Sequence, residues 1–356
     1  MVSFLLLTLS GASGYLLAPM APARPSVVSP RAYAAMADDM YSQAELEEMN
    51  AFNAALQEAA AAARDPATVA SVREEAQARA AALAAEDSIT KKLAAGGPDP
   101  KDKFLKSIKK PKGTMALIGE GVQLEVVSMG GFDLNDPAYL SSQYREGGAA
   151  AVCVGVPPRL VISDDALSKT VSEQETARGD FPGPLNVVVR DDFVDPAQLA
   201  AAAVAGAKAV VMNVAHVDEG GLGGLVSEAE RLGLETIVRV ANEAELGAAV
   251  DAGAKMVCIG DCTLDAAAEL VAKLPVGVLS VADVPTRDVR GVWQIRDMGF
   301  NALIIGKGLL DVCVRDRVPP TAVIKAMLSK GSVKYGLGMQ KGRLEGSKEN
   351  LGTIAM

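Results

Sequence analysis

Four times the chain repeats one phrase, and that repeat constrains its fold more than any other feature. A glycine placed where a helix would stop is followed, three residues later, by a short apolar run. Gly148-Ala149-Ala150 leads into residues 151–154, Gly206-Ala207-Lys208 into 209–212, Gly253-Ala254-Lys255 into 256–259, and Gly299-Phe300-Asn301 into 302–305. None of the runs alternates polar with apolar residues, as expected of strands buried on both faces. Further strand candidates lie at 114–119, 185–190, 235–240 and 276–281, and helical stretches such as 196–205 and 242–252 fall between them. The repeated glycines stand 46 to 58 residues apart. Roughly eight strand-helix units in about 225 residues match a (β/α)8 TIM barrel better than an open doubly wound sheet.

The barrel does not use the whole chain of 356 residues. Residues 38–102 are rich in alanine, glutamate and arginine, and Leu46, Met49, Phe52 and Leu56 recur at helical spacing. Asp65-Pro66 starts a second helix, because proline is tolerated in a first turn, and Gly96-Gly97-Pro98 breaks the chain before the barrel at 103–330. This extension reads as a helical hairpin packed on the barrel, or as a docking arm for another protein. Residues 331–356 carry spaced glycines and cations with too few apolar residues for a core, and form an extended tail.

At the other end, the apolar run 4–9 is too short to span a bilayer and is followed by the small residues Ala12-Ser13-Gly14. The stretch to residue 37 is basic and has no acid before Asp38. Residues 1–37 resemble the bipartite presequence of algae with secondary plastids, which implies a plastid location; ordinary secretion is the alternative. No other stretch reads as transmembrane. A net charge of −9 argues against nucleic acid and anionic membranes as partners. The four cysteines read as reduced thiols, and only His216 could join Cys258 and Cys262, so neither a metal site nor a cofactor is expected.

The strand ending Val189-Arg190-Asp191-Asp192-Phe193, followed by Asp195-Pro196-Ala197-Gln198, resembles the third strand of the indole-3-glycerol phosphate synthase family, written there Leu-Arg-Lys-Asp-Phe. Phe104 to Ile108, Met115 to Glu120, and Tyr144-Arg145-Glu146-Gly147-Gly148-Ala149-Ala150 resemble the family's lead into its first strand, its first helix and its second strand. The resemblance covers residues 103–330. It implies a decarboxylating ring closure in tryptophan biosynthesis, carried by lysines and glutamates at the strand tips, because a carbonyl oxygen must be protonated and water expelled.

Most of those positions are substituted. Glu120 stands where the first glutamate belongs, but the lysine two residues on is Val122, and the third-strand lysine is Asp191. Arg239 replaces the fifth-strand glutamate, Gly260-Asp261-Cys262 replace Asn-Asn-Arg, and Asp283 shortens the seventh-strand glutamate. Exchanging lysine for aspartate about 4 Å from a substrate carboxylate swings the interaction by several kcal/mol at an effective dielectric near 20. Phosphate binding by resemblance falls to Phe193 and to Gly306, Lys307 and Gly308, while Pro285 stands where a glycine amide would donate.

Three functions follow as expectations. The barrel is a noncatalytic binding or scaffold subunit of a plastid protein assembly, engaged through residues 38–102 and 331–356 and holding at most a residual phosphate ligand. Alternatively it is a working synthase. The third is a new enzyme with an acidic mouth of Glu120, Asp191, Asp192, Asp261 and Asp283 facing Arg239 and Lys307, where converging carboxylates could hold magnesium. Taken singly, Asp192 and Asp261 read equally well as solvated loop charges.

Overall fold

The computed structural model describes residues 43–111, 113–122, 124, 128–129, 132–155, 163, 165–218, 220–286 and 288–329. The expected presequence, residues 1–37, and the tail 331–356 therefore lie outside the described residues, as do the side chains of Leu46, Met49, Phe52 and Leu56.

The extension forms three helices rather than a hairpin: α1 (Gln43–Ala63), α2 (Pro66–Ala84) and α3 (Asp87–Ala95). Asp65 caps α2, its carboxylate accepting from the amides of Ala67 and Thr68, and Pro66 occupies the first turn as its fixed φ allows. Only one face of α2 carries buried residues, Val72, Ala76 and Ala80, so the helix is held by packing on the barrel and not by its own propensity.

Eight parallel strands follow: β1 (Ala116–Glu120), β2 (Ala151–Gly155), β3 (Asn186–Arg190), β4 (Ala209–Asn213), β5 (Glu235–Val240), β6 (Met256–Gly260), β7 (Leu279–Asp283) and β8 (Ala302–Ile305). Each pairs with the next, and β1 pairs with β8 in the register Ala116↔Ala302, so the sheet closes into a barrel. The helices around it are α5 (Pro137–Gly147), α6 (Ala166–Thr176), α7 (Pro196–Val204), α8 (Leu222–Arg231), α9 (Glu243–Asp251), α10 (Leu264–Lys273), α11 (Val289–Asp297), α12 (Lys307–Asp316) and α13 (Pro320–Leu328), with α4 (Lys103–Ile108) before β1. The repeated glycines Gly148, Gly206, Gly253 and Gly299 all adopt positive φ, between 80° and 100°, where the helices end.

Period-two alternation divides every strand between two cores. Ala116, Ile118, Cys153, Val188, Val211, Ile237, Cys258, Val281 and Ile304 fill the barrel, whereas Leu117, Val152, Val189, Met212, Val238, Ile259 and Leu303 pack outward under the helices. The same parity carried upward puts Glu120, Arg190, Arg239 and Asp283 into the barrel's top layer.

At the opposite end, α4 is a plug. Phe104 and Ile108, one helical turn apart, are fully buried in the inner core. The Glu235 carboxylate, on the first residue of β5, accepts from the amides of Phe104 at 2.6 Å and Leu105 at 2.8 Å, satisfying two donors that a helix start leaves unpaired. Burial raises the pKa of Glu235 despite those two bonds. Replacing it with alanine strands both amides, and Glu235→Ala is expected to lower stability by about 2 kcal/mol. Urea unfolding checks this, and an unchanged midpoint would show the plug to be held by Phe104 and Ile108 alone.

Candidate ligand site at the barrel mouth

The carboxyl ends of the strands open into a cavity of about 670 Å³, lined by Glu120, Val122, Arg190, Asp191, Asp192, Asn213, His216, Arg239, Asp261, Asp283, Thr286 and the Gly306-Lys307-Gly308 segment, among others. Asp191, Arg239, Asp261 and Asp283 thus share one mouth. Phe193 does not join them. Expected at the ligand site, it is 1% exposed in the outer core, where an aromatic ring just past a strand gains more from apolar burial.

The mouth is not an acidic bowl, because its carboxylates are matched by arginines. Arg239 donates from Nε to Asp283 Oδ2 at 2.8 Å and from Nη2 to Asp261 Oδ1 at 2.8 Å, and its Nη1 engages the second Asp261 oxygen. Arg190 lies 3.1 Å from Glu120 through Nε and 3.1 Å from Asp283 through Nη1. Two guanidinium groups therefore share the Asp283 carboxylate. Burial alone would raise its pKa, but Arg190 and Arg239 outweigh burial and hold it below the usual carboxylate range. For Glu120 the balance is opposite: burial dominates and raises its pKa, Arg190 offsetting only part. With these partners the carboxylates are committed, so the magnesium expectation loses its basis.

Gly260 makes room for Arg239. A Cβ on Gly260 would sit 2.9 Å from Arg239 Nη2, 3.1 Å from its Nε and 3.0 Å from the Asp283 carbonyl. The guanidinium occupies space that only glycine at 260 leaves open. Asp261, beside it, holds a left-handed φ of 52°, a conformation uncommon outside glycine, and is retained there by its two bonds to Arg239.

The N-terminal helices complete the site. Arg79 on α2 donates to Asp191 Oδ1 at 2.8 Å, Arg64 pairs with Glu245 and lies 3.7 Å from Asp261, and Ala59, Ala60 and Ala63 form part of the cavity wall. Arg73 donates to the carbonyls of Ala215, His216 and Val217, fixing the 3-10 turn Val214–His216 beyond β4. That turn presents His216, whose Nδ1 lies 2.6 Å from Asp192 Oδ1. Asp192 is accordingly a buried partner rather than a loop charge, and Asp261 is likewise engaged. Arg64, Arg73, Arg79, Arg190 and the imidazole were absent from the expected site. Arg190 alone had a local signal, its parity with Val188.

On the far wall, α12 begins after Gly306 with no side-chain cap, and Gly306, Lys307 and Gly308 at its start line the cavity. A Cβ on Gly308 would lie 2.0 Å from the Thr286 carbonyl, so glycine is required for the loops after β7 and β8 to meet. Lys307 is exposed and pairs with Asp311 at 2.8 Å. Thiolate chemistry is unfavourable here: burial pushes the Cys262 thiol up to about 11 and raises Cys258 further.

Comparison with known proteins places this geometry among relatives. The family model described as indole-3-glycerol phosphate synthase matches residues 67–315. The chain is 32% identical over 219 residues to the indole-3-glycerol phosphate synthase of Parafrankia sp., covering 59% of this chain and 77% of that protein. It is 32% identical over 238 residues to indole-3-glycerol phosphate synthase 1 of Streptomyces coelicolor, covering 63% and 84%. With the Mycobacterium tuberculosis protein of the same description it shares 29% over 261 residues, covering 69% and 90%.

Proposed function

Because the chain belongs to the indole-3-glycerol phosphate synthase family, we propose that its barrel is retained as a binding or scaffold subunit of a plastid assembly and no longer performs the family's decarboxylating ring closure. The observation that carries this reading is the state of Asp191. It stands at the position of the catalytic lysine, and its carboxylate is tied to Arg79 at 2.8 Å, so no proton donor occupies the place where the family reaction needs one. Arg239, at the position of a carboxylate base, is committed to Asp261 and Asp283. Losing a general acid alone costs roughly 10² to 10⁴ in rate, and here the second lysine position, Val122, is lost as well. The α12 start keeps backbone donors for a phosphorylated anion, which is the ligand class the mouth retains.

The test is a fluorescence assay for indole-product formation from carboxyphenylamino deoxyribulose phosphate. No signal above buffer is expected, and turnover near 1 s⁻¹, within the ordinary enzyme range, would sink the proposal. A second reading, an active synthase, is favoured by the descriptions of the 32% identical relatives, and the same assay decides between them. The assembly itself is tested by native-size fractionation of plastid extract, where the protein should migrate in a complex larger than its own dimer. Migration as a small oligomer, unchanged by deleting residues 331–356, would remove the scaffold role.

A further inference from the structure

The chain contains a single histidine, and the fold delivers it to the mouth. His216 belongs to the turn Val214–His216, which is fixed from both sides. Asn213 Oδ1 accepts from the Ala215 amide at 3.2 Å, and Arg73 clamps three successive carbonyls from the covering helix α2. Asp192 engages Nδ1 at 2.6 Å, with Gln198 donating to the Asp192 carbonyl at 2.8 Å. A carboxylate on Nδ1 selects the tautomer with the proton there and leaves Nε2 as a proton acceptor on a ring that lines the cavity. No described residue is a hydrogen-bond partner of Nε2. An imidazole so oriented and so rigidly supported has the form of a proton-transfer group, and the lost ring closure has no use for it.

We propose that Asp192 and His216 form a proton-transfer dyad acting on a small phosphorylated ketone, with His216 as the catalytic base and Asp192 as its positioning residue. This rests on the reading above that the mouth takes a phosphorylated anion. The α12 amides bind the phosphate. Nε2 removes a proton from the carbon beside the carbonyl, the C–H electron pair becomes the enolate double bond, and the carbonyl pair moves onto oxygen. The charge of Arg190, which lines the same cavity, stabilises that oxygen. Return of the proton from Nε2 to carbon, or of a deuteron in heavy water, restores the ketone. No electrons leave and no co-reactant is consumed.

Ribulose 5-phosphate in D₂O is the probe, with deuterium entry beside the carbonyl followed by proton NMR and binding followed in parallel by calorimetry on the full chain. Exchange is expected at least about 10²-fold above buffer, falling to near the buffer rate in His216→Asn and by about tenfold in Asp192→Asn with an altered pH profile. Because there is only one histidine, diethyl pyrocarbonate on the wild-type protein should abolish exchange and hydroxylamine should restore it, a readout independent of how the variants fold. Binding without exchange, or exchange that survives modification of His216, overturns the dyad and leaves the binding reading intact. Failure of the sugar phosphate to bind overturns both.

Discussion

Asp283→Asn is expected to cost about 3–5 kcal/mol of stability, a drop of roughly 10 °C in melting temperature. The side chain keeps its shape but loses the charge that two guanidinium groups share, Arg190 Nη1 at 3.1 Å and Arg239 Nε at 2.8 Å. Removing one member of a buried ion network leaves the others uncompensated, which costs more than the network ever contributed. The effect depends on pH with a definite sign. Arg190 and Arg239 hold the folded Asp283 pKa below its unfolded value, so its contribution is full above the unfolded pKa of about 4 and is lost as pH falls through the depressed folded value. Wild type and variant should therefore converge in acid and differ most near neutrality. Glu120 makes the substitutions non-additive. Glu120 and Asp283 both face Arg190, so in either single variant the remaining carboxylate still offsets its charge, and Asp283→Asn with Glu120→Gln should cost more than the sum of the two. Additive urea-unfolding energies would refute this coupling.

Asp191→Lys, which places there the lysine that the family resemblance implies, is expected to destabilise by about 3 kcal/mol rather than to recover activity, because it sets two cations together where Arg79 now meets Asp191. Adding Arg79→Glu should return most of the loss, since the pair is rebuilt with its charges exchanged. Hydrogen exchange on α2 provides the local readout. Its amides should open faster in Asp191→Lys and slow again in the double variant. If α2 protection stays at the wild-type level in Asp191→Lys, the helix is held by Val72, Ala76 and Ala80 and the ion pair contributes nothing.

All eight strands were legible in the sequence, because glycine stops and unbroken apolar runs are local signals of a parallel barrel. Glu120, Arg239, Asp261 and Asp283 were legible as strand-tip residues from the family pattern. Their charge balance was not. Arg64, in the turn between α1 and α2, and Arg79, on α2, are far away in sequence, and nothing local ties them to Asp261 or Asp191. Arg190 had a local signal, its parity with Val188, but parity does not say which carboxylates a guanidinium meets. Phe193 was misplaced because a motif position does not say which core a ring enters. The plug was not read from the sequence, where residues 104–108 stood only for a family resemblance, and its acidic cap, Glu235, is about 130 residues downstream.

The fit between Gly260 and the Arg239 guanidinium ties the two positions together. A side chain at 260 meets the guanidinium and, whatever stands at 239, the Asp283 carbonyl at 3.0 Å, while shortening 239 strands the Asp261 and Asp283 carboxylates. Neither position changes alone without cost. A laboratory trajectory through this pair loses stability whichever residue is changed first, so the mouth is locked from both sides.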